Sequence, residues 1–177
     1  MLEVSNMKNT HERTLHAPID TLAPLIDQLA SRQDRFWPSS RWSAMKFDRP
    51  LAVGAIGGHG FIGYTVERYQ PGREITFRFT SPKGLNGMHR LTLEELPNGQ
   101  TRVKHVIEAS LEGPMVLGWT LAIRFLHDAL VEDGMDRAEA WVAQREWKPR
   151  ELSPYVKSLR WLMTKLRSGR KPQPVRG

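Results

Sequence analysis

Residues 114–145 read PMVLGWTLAIRFLHDALVEDGMDRAEAWVAQR, with one proline, at the first position. Proline is tolerated in the first turn of a helix and breaks one further in, so the stretch reads as a single long helix. At 1.5 Å per residue it runs roughly 45 Å. Trp119, Ile123, Leu126, Leu130, Gly134 and Trp141 fall on one stripe, with Arg124, Asp128, Glu132, Asp136 and Glu139 opposite. A helix with one apolar stripe needs a large apolar surface to cover it.

The residues before the helix supply that surface. Met88–Leu96 and Thr101–Leu111 read as strands joined by Pro97-Asn98-Gly99, a hairpin turn. Glu74–Thr80 alternates Ile75, Phe77 and Phe79 against Thr76, Arg78 and Thr80. Pro71-Gly72 and the run Pro82–Gly87 mark further turns, and Lys46–Val53 and Phe61–Tyr69 are strand-like. Short turns between successive strands mean an antiparallel meander. Upstream, Lys8–His16 reads as a first strand. Ile19, Leu22, Leu25, Ile26 and Leu29 then recur at helical spacing, interrupted by Pro24. The expected class is α+β: a curved antiparallel sheet wrapped around a long C-terminal helix.

That order, with Leu15-His16-Ala17-Pro18, the glycine-rich Val53–Gly60 and Leu126-His127-Asp128-Ala129-Leu130, resembles the polyketide cyclase/dehydrase branch of the START-related (SRPBCC) superfamily. The resemblance spans roughly residues 8–145. It implies a helix-grip fold with a cavity between sheet and helix. It does not imply one activity, because the superfamily holds carriers, receptors, cyclases and chaperone co-activators. It carries no catalytic motif onto particular residues here.

Composition narrows the field. There is no cysteine, so disulfides, thiolate metal sites and a cysteine nucleophile are excluded. The net charge is +7, but residues 148–177 hold nine Lys/Arg against Glu151, and residues 1–147 are close to neutral. The basic character belongs to a tail, which argues against a nucleic-acid groove across the fold. Met1–Thr10 lacks an apolar signal core and no stretch approaches 20 apolar residues, so a cytoplasmic location is expected. Two regions follow: a ligand-binding domain over 8–147 and a basic tail over 148–177. In the tail, Ser153 is a helix cap and Pro154–Arg167 an amphipathic helix with Tyr155, Val156, Leu159, Leu162, Met163 and Leu166 on its apolar face. Gly169 ends it, and Arg170–Gly177 is expected to be disordered. The helix suits its own domain, a homodimer, a partner's groove, or an anionic membrane through 153–167.

The pocket candidates follow from facing. His89 shares a strand face with Leu91 and Leu93, and His105 shares one with Val103 and Ile107, so both histidines are expected to look inward. Two readings stand for them: structural imidazoles bonded locally, or groups that orient a ligand and move protons. Arg137 lies on the apolar stripe. It needs an acid such as Glu67, a carbonyl, or an acidic ligand head. The glycines around His59 lack the ending of a phosphate loop and read as a bent strand or hairpin at the pocket mouth. Tyr64, Phe77, Phe79, Trp119, Ile123, Leu130, Trp141 and Trp42 complete the expected ligand-binding lining. No metal ligand set and no cofactor are indicated. His127 and Asp128 are expected to point apart. The function expected is binding of a small, mostly apolar ligand as carrier or sensor, with a polyketide-type cyclase/dehydratase using His89 and His105 as the alternative.

Overall fold

The computed structural model describes residues 4–168. Seven strands form one antiparallel sheet in the order β1-β7-β6-β5-β4-β3-β2. They are β1 (Ser5–Leu15), β2 (Lys46–Phe47), β3 (Ile56–His59), β4 (Ile62–Gln70), β5 (Glu74–Ser81), β6 (Leu85–Leu96) and β7 (Gln100–Leu111). Between β1 and β2 lie two single-turn helices, α1 (Ile19–Leu22) and α2 (Pro24–Asp27), divided where Pro24 removes an amide donor. After β7 the chain runs as one 29-residue helix, Pro114–Val142. It consists of α3 (Pro114–Gly118), a π-helical turn (Trp119–Ile123) and α4 (Arg124–Val142). A last helix, α5 (Pro154–Ser168), follows. This is a helix-grip fold: a curved sheet closed over a long helix.

Sheet and helix share a core. Tyr64, Val66, Ile75, Phe77, Leu91, Leu93 and Val103 from the sheet meet Leu130, Val131, Met135 and Ala138 from α4. A smaller cluster around Leu85, Ile107, Leu111 and Trp119 closes the other end. Gly134 lets the Phe36 loop lie flat on α4, since a Cβ there would sit 3.2 Å from the Phe36 ring.

Several expectations need correction. Lys46–Val53 is not a strand: only Lys46–Phe47 pairs, and Asp48 turns its carboxylate to the Ile56 amide. The glycine-rich segment instead supplies β3, which forms a hairpin with β4 around Gly60 at φ +59. The acidic side of the long helix is not its solvent side. It faces the inward row of β1, where Asn9 donates to Asp128 and Arg13 bonds Glu132, Asp136 and Glu139. The row Asn9, His11, Arg13 is polar, so the helix acids pair with it across the interface while Asp128, Glu132 and Glu139 stay partly exposed.

The helix Pro114–Val142 is, by length and composition, apolar enough to cross a bilayer. That was not anticipated from counting apolar runs. In this fold α4 is clamped by β1, by the Phe36 loop and by Arg41 and Trp42, which bond Asp133. The α3 end leaves Leu117 and Leu121 exposed.

Ser153 caps α5, accepting from the Val156 amide at 3.2 Å. The docked face of α5 is rotated from the expected one. Val156 is buried, while Tyr155 and Leu162 are 47% and 48% exposed. The rotation follows from Arg160, which donates to the Arg41 carbonyl and lies over the Trp42 ring. The Leu166 side chain and the expectations for Gly169–Gly177 fall outside the described residues.

Candidate functional site

The inward faces of β1, β3, β4, β6 and β7 and one face of α4 bring together a continuous row of rings. It runs Trp37, His59, Tyr64, His89, His105, His127, His11. Successive centroids lie 4.6, 5.8, 5.0, 5.6, 5.1 and 5.7 Å apart. Strand alternation places the sheet members, while Trp37 comes from the loop before β2 and His127 from α4. His89 and His105 lie in register with inward apolar neighbours, and Phe77 pairs with His89 across β5 and β6. His89 stacks nearly parallel on both Phe77 and Phe79, at 4.7 and 4.9 Å. Trp119 flanks His127 at 6.0 Å.

The row is buried, and its polar atoms are incompletely paired. His89 Nε2, His105 Nδ1 and His127 Nε2 have no hydrogen-bond partner. Burial pushes His59 down to about 4. Burial also holds His89 and His105 well below the ordinary imidazole range, and His127 below it against the pull of Asp128. These four are neutral at pH 7. Burial raises the Tyr64 hydroxyl, which sits 3.2 Å from His59 Nδ1. Tyr64 is therefore a neutral phenol.

The far end is charged. His11 Nε2 lies 3.1 Å from Asp128 Oδ1, and its Nδ1 lies 2.8 Å from Glu132 Oε1. The Asp128 hydrogen bond, with Glu132 behind it, raises His11 despite burial. Burial pushes Asp128 up, but bonds from His11, His127 and Asn9 outweigh it and hold the carboxyl low. His127 Nδ1 lies 3.4 Å from Asp128 Oδ1. The expectation that these neighbours point apart was therefore wrong: their side chains converge because His11 draws Asp128 back across the helix surface.

The remaining candidates are distributed as follows. Tyr64, His89, His105 and His59 belong to the row, and Phe77 and Phe79 stack on His89 beside it. Trp119 and Ile123 belong to the smaller cluster beside it, and Leu130 and Trp141 to the main core. Trp42 stands apart, donating to Asp133 Oδ2 at 2.7 Å. Arg137 donates to the carbonyls of Trp37 and Asp34. Those carbonyls occupy its guanidinium, so it holds the loop. It does not pair with Glu67, which binds Arg78. Open space lies at the rim. A cleft of about 480 Å³ is bordered by Ser43, Ala44, Gly58, His59, Phe61 and Ser81. Between sheet and helix the rings lie against one another, with centroids 4.6–6.0 Å apart.

Sequence reasoning missed His11, His127 and Asp128. His11 could have been found by its phase with Leu15 on β1. His127 could have been found by its spacing to Leu130, Val131 and Gly134.

No family model and no curated protein sequence matches the chain. Solved structures do match in shape. CalU16 from Micromonospora echinospora superposes with a TM-score of 0.54 at 14% identity, over 93% of this chain and 94% of that one. A conserved protein of unknown function from Enterococcus faecalis gives 0.58 at 15%, over 93% and 89%. A norcoclaurine synthase point mutant from Thalictrum flavum, in complex with a transition-state analogue, gives 0.58 at 10%, over 81% and 98%. At these identities the likeness establishes a shared fold.

Proposed function

We propose that the protein binds a small, largely apolar molecule with an aromatic or polycyclic ring, as carrier or sensor. The observation that carries this reading is the pair of buried, unpartnered imidazole nitrogens, His89 Nε2 and His105 Nδ1, set beside the Phe77 and Phe79 rings. An orphaned buried polar atom costs about 1–3 kcal/mol, and a ligand carbonyl or hydroxyl recovers it. Flat side chains suit a flat ligand. The rim cleft at His59 is the mouth, and the β3–β4 hairpin beside it is rich in glycine and able to give way. That one fold neighbour holds a transition-state analogue is consistent with a small-molecule site in this architecture.

A second reading is cyclisation or dehydration of a polyketide-like substrate. It is favoured by the neutrality of His89 and His105. A neutral imidazole can take the proton between two carbonyls of the substrate. The resulting carbon attacks a further carbonyl, and the imidazolium formed in the first step returns its proton to that carbonyl's oxygen.

Native mass spectrometry of protein purified from its source tests the binding reading. A co-purifying apolar mass that dissociates on unfolding is expected. Absence of any such mass, with no uptake of flat aromatic probes, would overturn it. His89→Gln and His105→Gln separate the two readings: an enzyme loses turnover while binding persists.

A further inference from the structure

We propose that His11, His127 and Asp128 form a binding site for a divalent transition-metal ion, with Zn²⁺ as the reference ion. The site lies at the charged end of the ring row and does not depend on the ligand reading above.

Geometry carries the assignment. One donor atom from each of the three residues lies within 4.8 Å of the other two. Asp128 Oδ1 is 3.1 Å from His11 Nε2 and 3.4 Å from His127 Nδ1. Ligand bonds of about 2.0–2.1 Å in a tetrahedron place neighbouring donor atoms about 3.3 Å apart. The two separations therefore match two edges of such a site with little movement.

The outer shell is in place for His11, while His127 Nε2 has no hydrogen-bond partner. A metal-bound imidazole usually donates its second N–H to a carboxylate, which fixes the ring and raises its basicity. His11 Nδ1 has that partner in Glu132 Oε1 at 2.8 Å. Arg13 holds the other oxygen, Glu132 Oε2, at 2.8 Å, so the carboxylate is oriented from both ends. Asn9 donates to Asp128 Oδ1 at 2.9 Å. Charge balances as well: a dication meets two neutral imidazoles, one bound carboxylate and one carboxylate behind it.

The donor types select the ion. Two imidazoles and one carboxylate suit zinc and other first-row divalent ions and are poor for Ca²⁺ or Mg²⁺, which prefer all-oxygen shells. Three protein ligands leave a fourth position open. The Asp128 side chain is 36% exposed, against 12% and 15% for the imidazoles, so that position opens on the solvent side.

Tag-free full-length chain, stripped with chelator, is titrated with ZnCl₂ by calorimetry and with CoCl₂ by visible absorption. One Zn²⁺ per chain, a raised Tm, and the intense visible bands of four-coordinate Co²⁺ are expected. His11→Gln and His127→Gln should each weaken Zn²⁺ at least tenfold and remove the cobalt bands. His16→Gln, which alters a histidine bonded to Gln100 outside the cluster, should change neither. If the ligand variants fail to fold, Glu132→Gln keeps all three ligands and should still weaken Zn²⁺ by about 10–100-fold. Absence of Zn²⁺ binding at millimolar concentration, or equal binding by wild type, His127→Gln and Glu132→Gln, would overturn the site.

Discussion

His105 on β7 and His127 on the long helix face each other with ring centroids 5.1 Å apart, and each carries a buried ring nitrogen without a partner. Two elements that could have met through leucines meet through imidazoles instead. Orphaned polar atoms cost stability, and a fold that retains them gains something else from them.

That relationship gives the first prediction. His105→Phe removes the orphan and keeps a ring of similar breadth. Urea denaturation should show stability unchanged or raised by about 1 kcal/mol. Binding of a fluorescent aryl ketone should weaken about tenfold, the worth of one hydrogen bond. A large loss of stability with binding intact would make His105 a structural residue.

Acid should destabilise the protein before the carboxylates titrate. The folded state holds His59 down to about 4 and His89 well below its ordinary value near 6.5. For such a base the unfolded chain takes the proton first. Its contribution is complete above pH 6.5, shrinks as pH falls towards 4, and for His59 levels off below that. Urea midpoints at pH 7.5, 6.0 and 5.0 should fall in that order. His59→Gln and His89→Gln should each flatten the decline. His11, raised by Asp128, acts in the opposite direction and remains in both variants.

Arg13→Met tests the charged seam between β1 and the helix. Arg13 reaches Glu132, Asp136 and Glu139. Removing it takes away the one strand cation that bridges all three, although Asp136 keeps Arg150, Glu139 keeps Arg145 and Glu132 keeps His11. The expected loss is about 2–3 kcal/mol by urea denaturation, below the full cost of a broken buried pair because Glu132 and Glu139 stay partly wet. Arg78→Ala, which breaks the exposed pair with Glu67 and a contact with the Met88 sulfur, should cost less than about 1 kcal/mol. Equal losses would mean that the seam is not special.

The tail helix leaves Trp161 63% exposed and Leu162 48%, and Leu117 and Leu121 of the long helix are also bare. Arg124, Lys157 and Lys165 belong to the same two helices. Intact protein should float with anionic vesicles at low salt and less at high salt. A chain ending at 149 should not float. Equal flotation of both forms would exclude the tail as the anchor. A shift from dimer to monomer on truncation would assign the helix to self-association.

Much of the fold was legible because strand alternation and helix periodicity are local. The shared faces of His89 with Leu91 and of His105 with Ile107 follow from a period of two, and the Ser153 cap follows from side-chain chemistry. The long helix was legible in extent but not in what surrounds it. Its acids look like a solvated face until β1 is placed beside them, and that placement is set by a register between Ser5 and Leu111 that no local pattern shows. The same distance hid His11 from His127 and Asp128. Lys46–Val53 had strand-like composition, but Asp48 and the following proline favour a turn. For Arg137, sequence showed the need for a partner, while the partners, two backbone carbonyls, carry no side-chain signature.

Arg41 and Trp42 serve two masters. Both bond Asp133 on the long helix, and both receive Arg160 from α5, one through its carbonyl and one through its ring. The next residues, Ser43 and Ala44, form the rim of the cleft at His59. The Ser43 carbonyl in turn accepts from the Trp37 indole, whose ring lies against His59. The tail helix is thereby geared to the rim cleft. A pull on α5, whatever it grips, has only two residues of backbone to travel before it reaches Ser43 and Ala44.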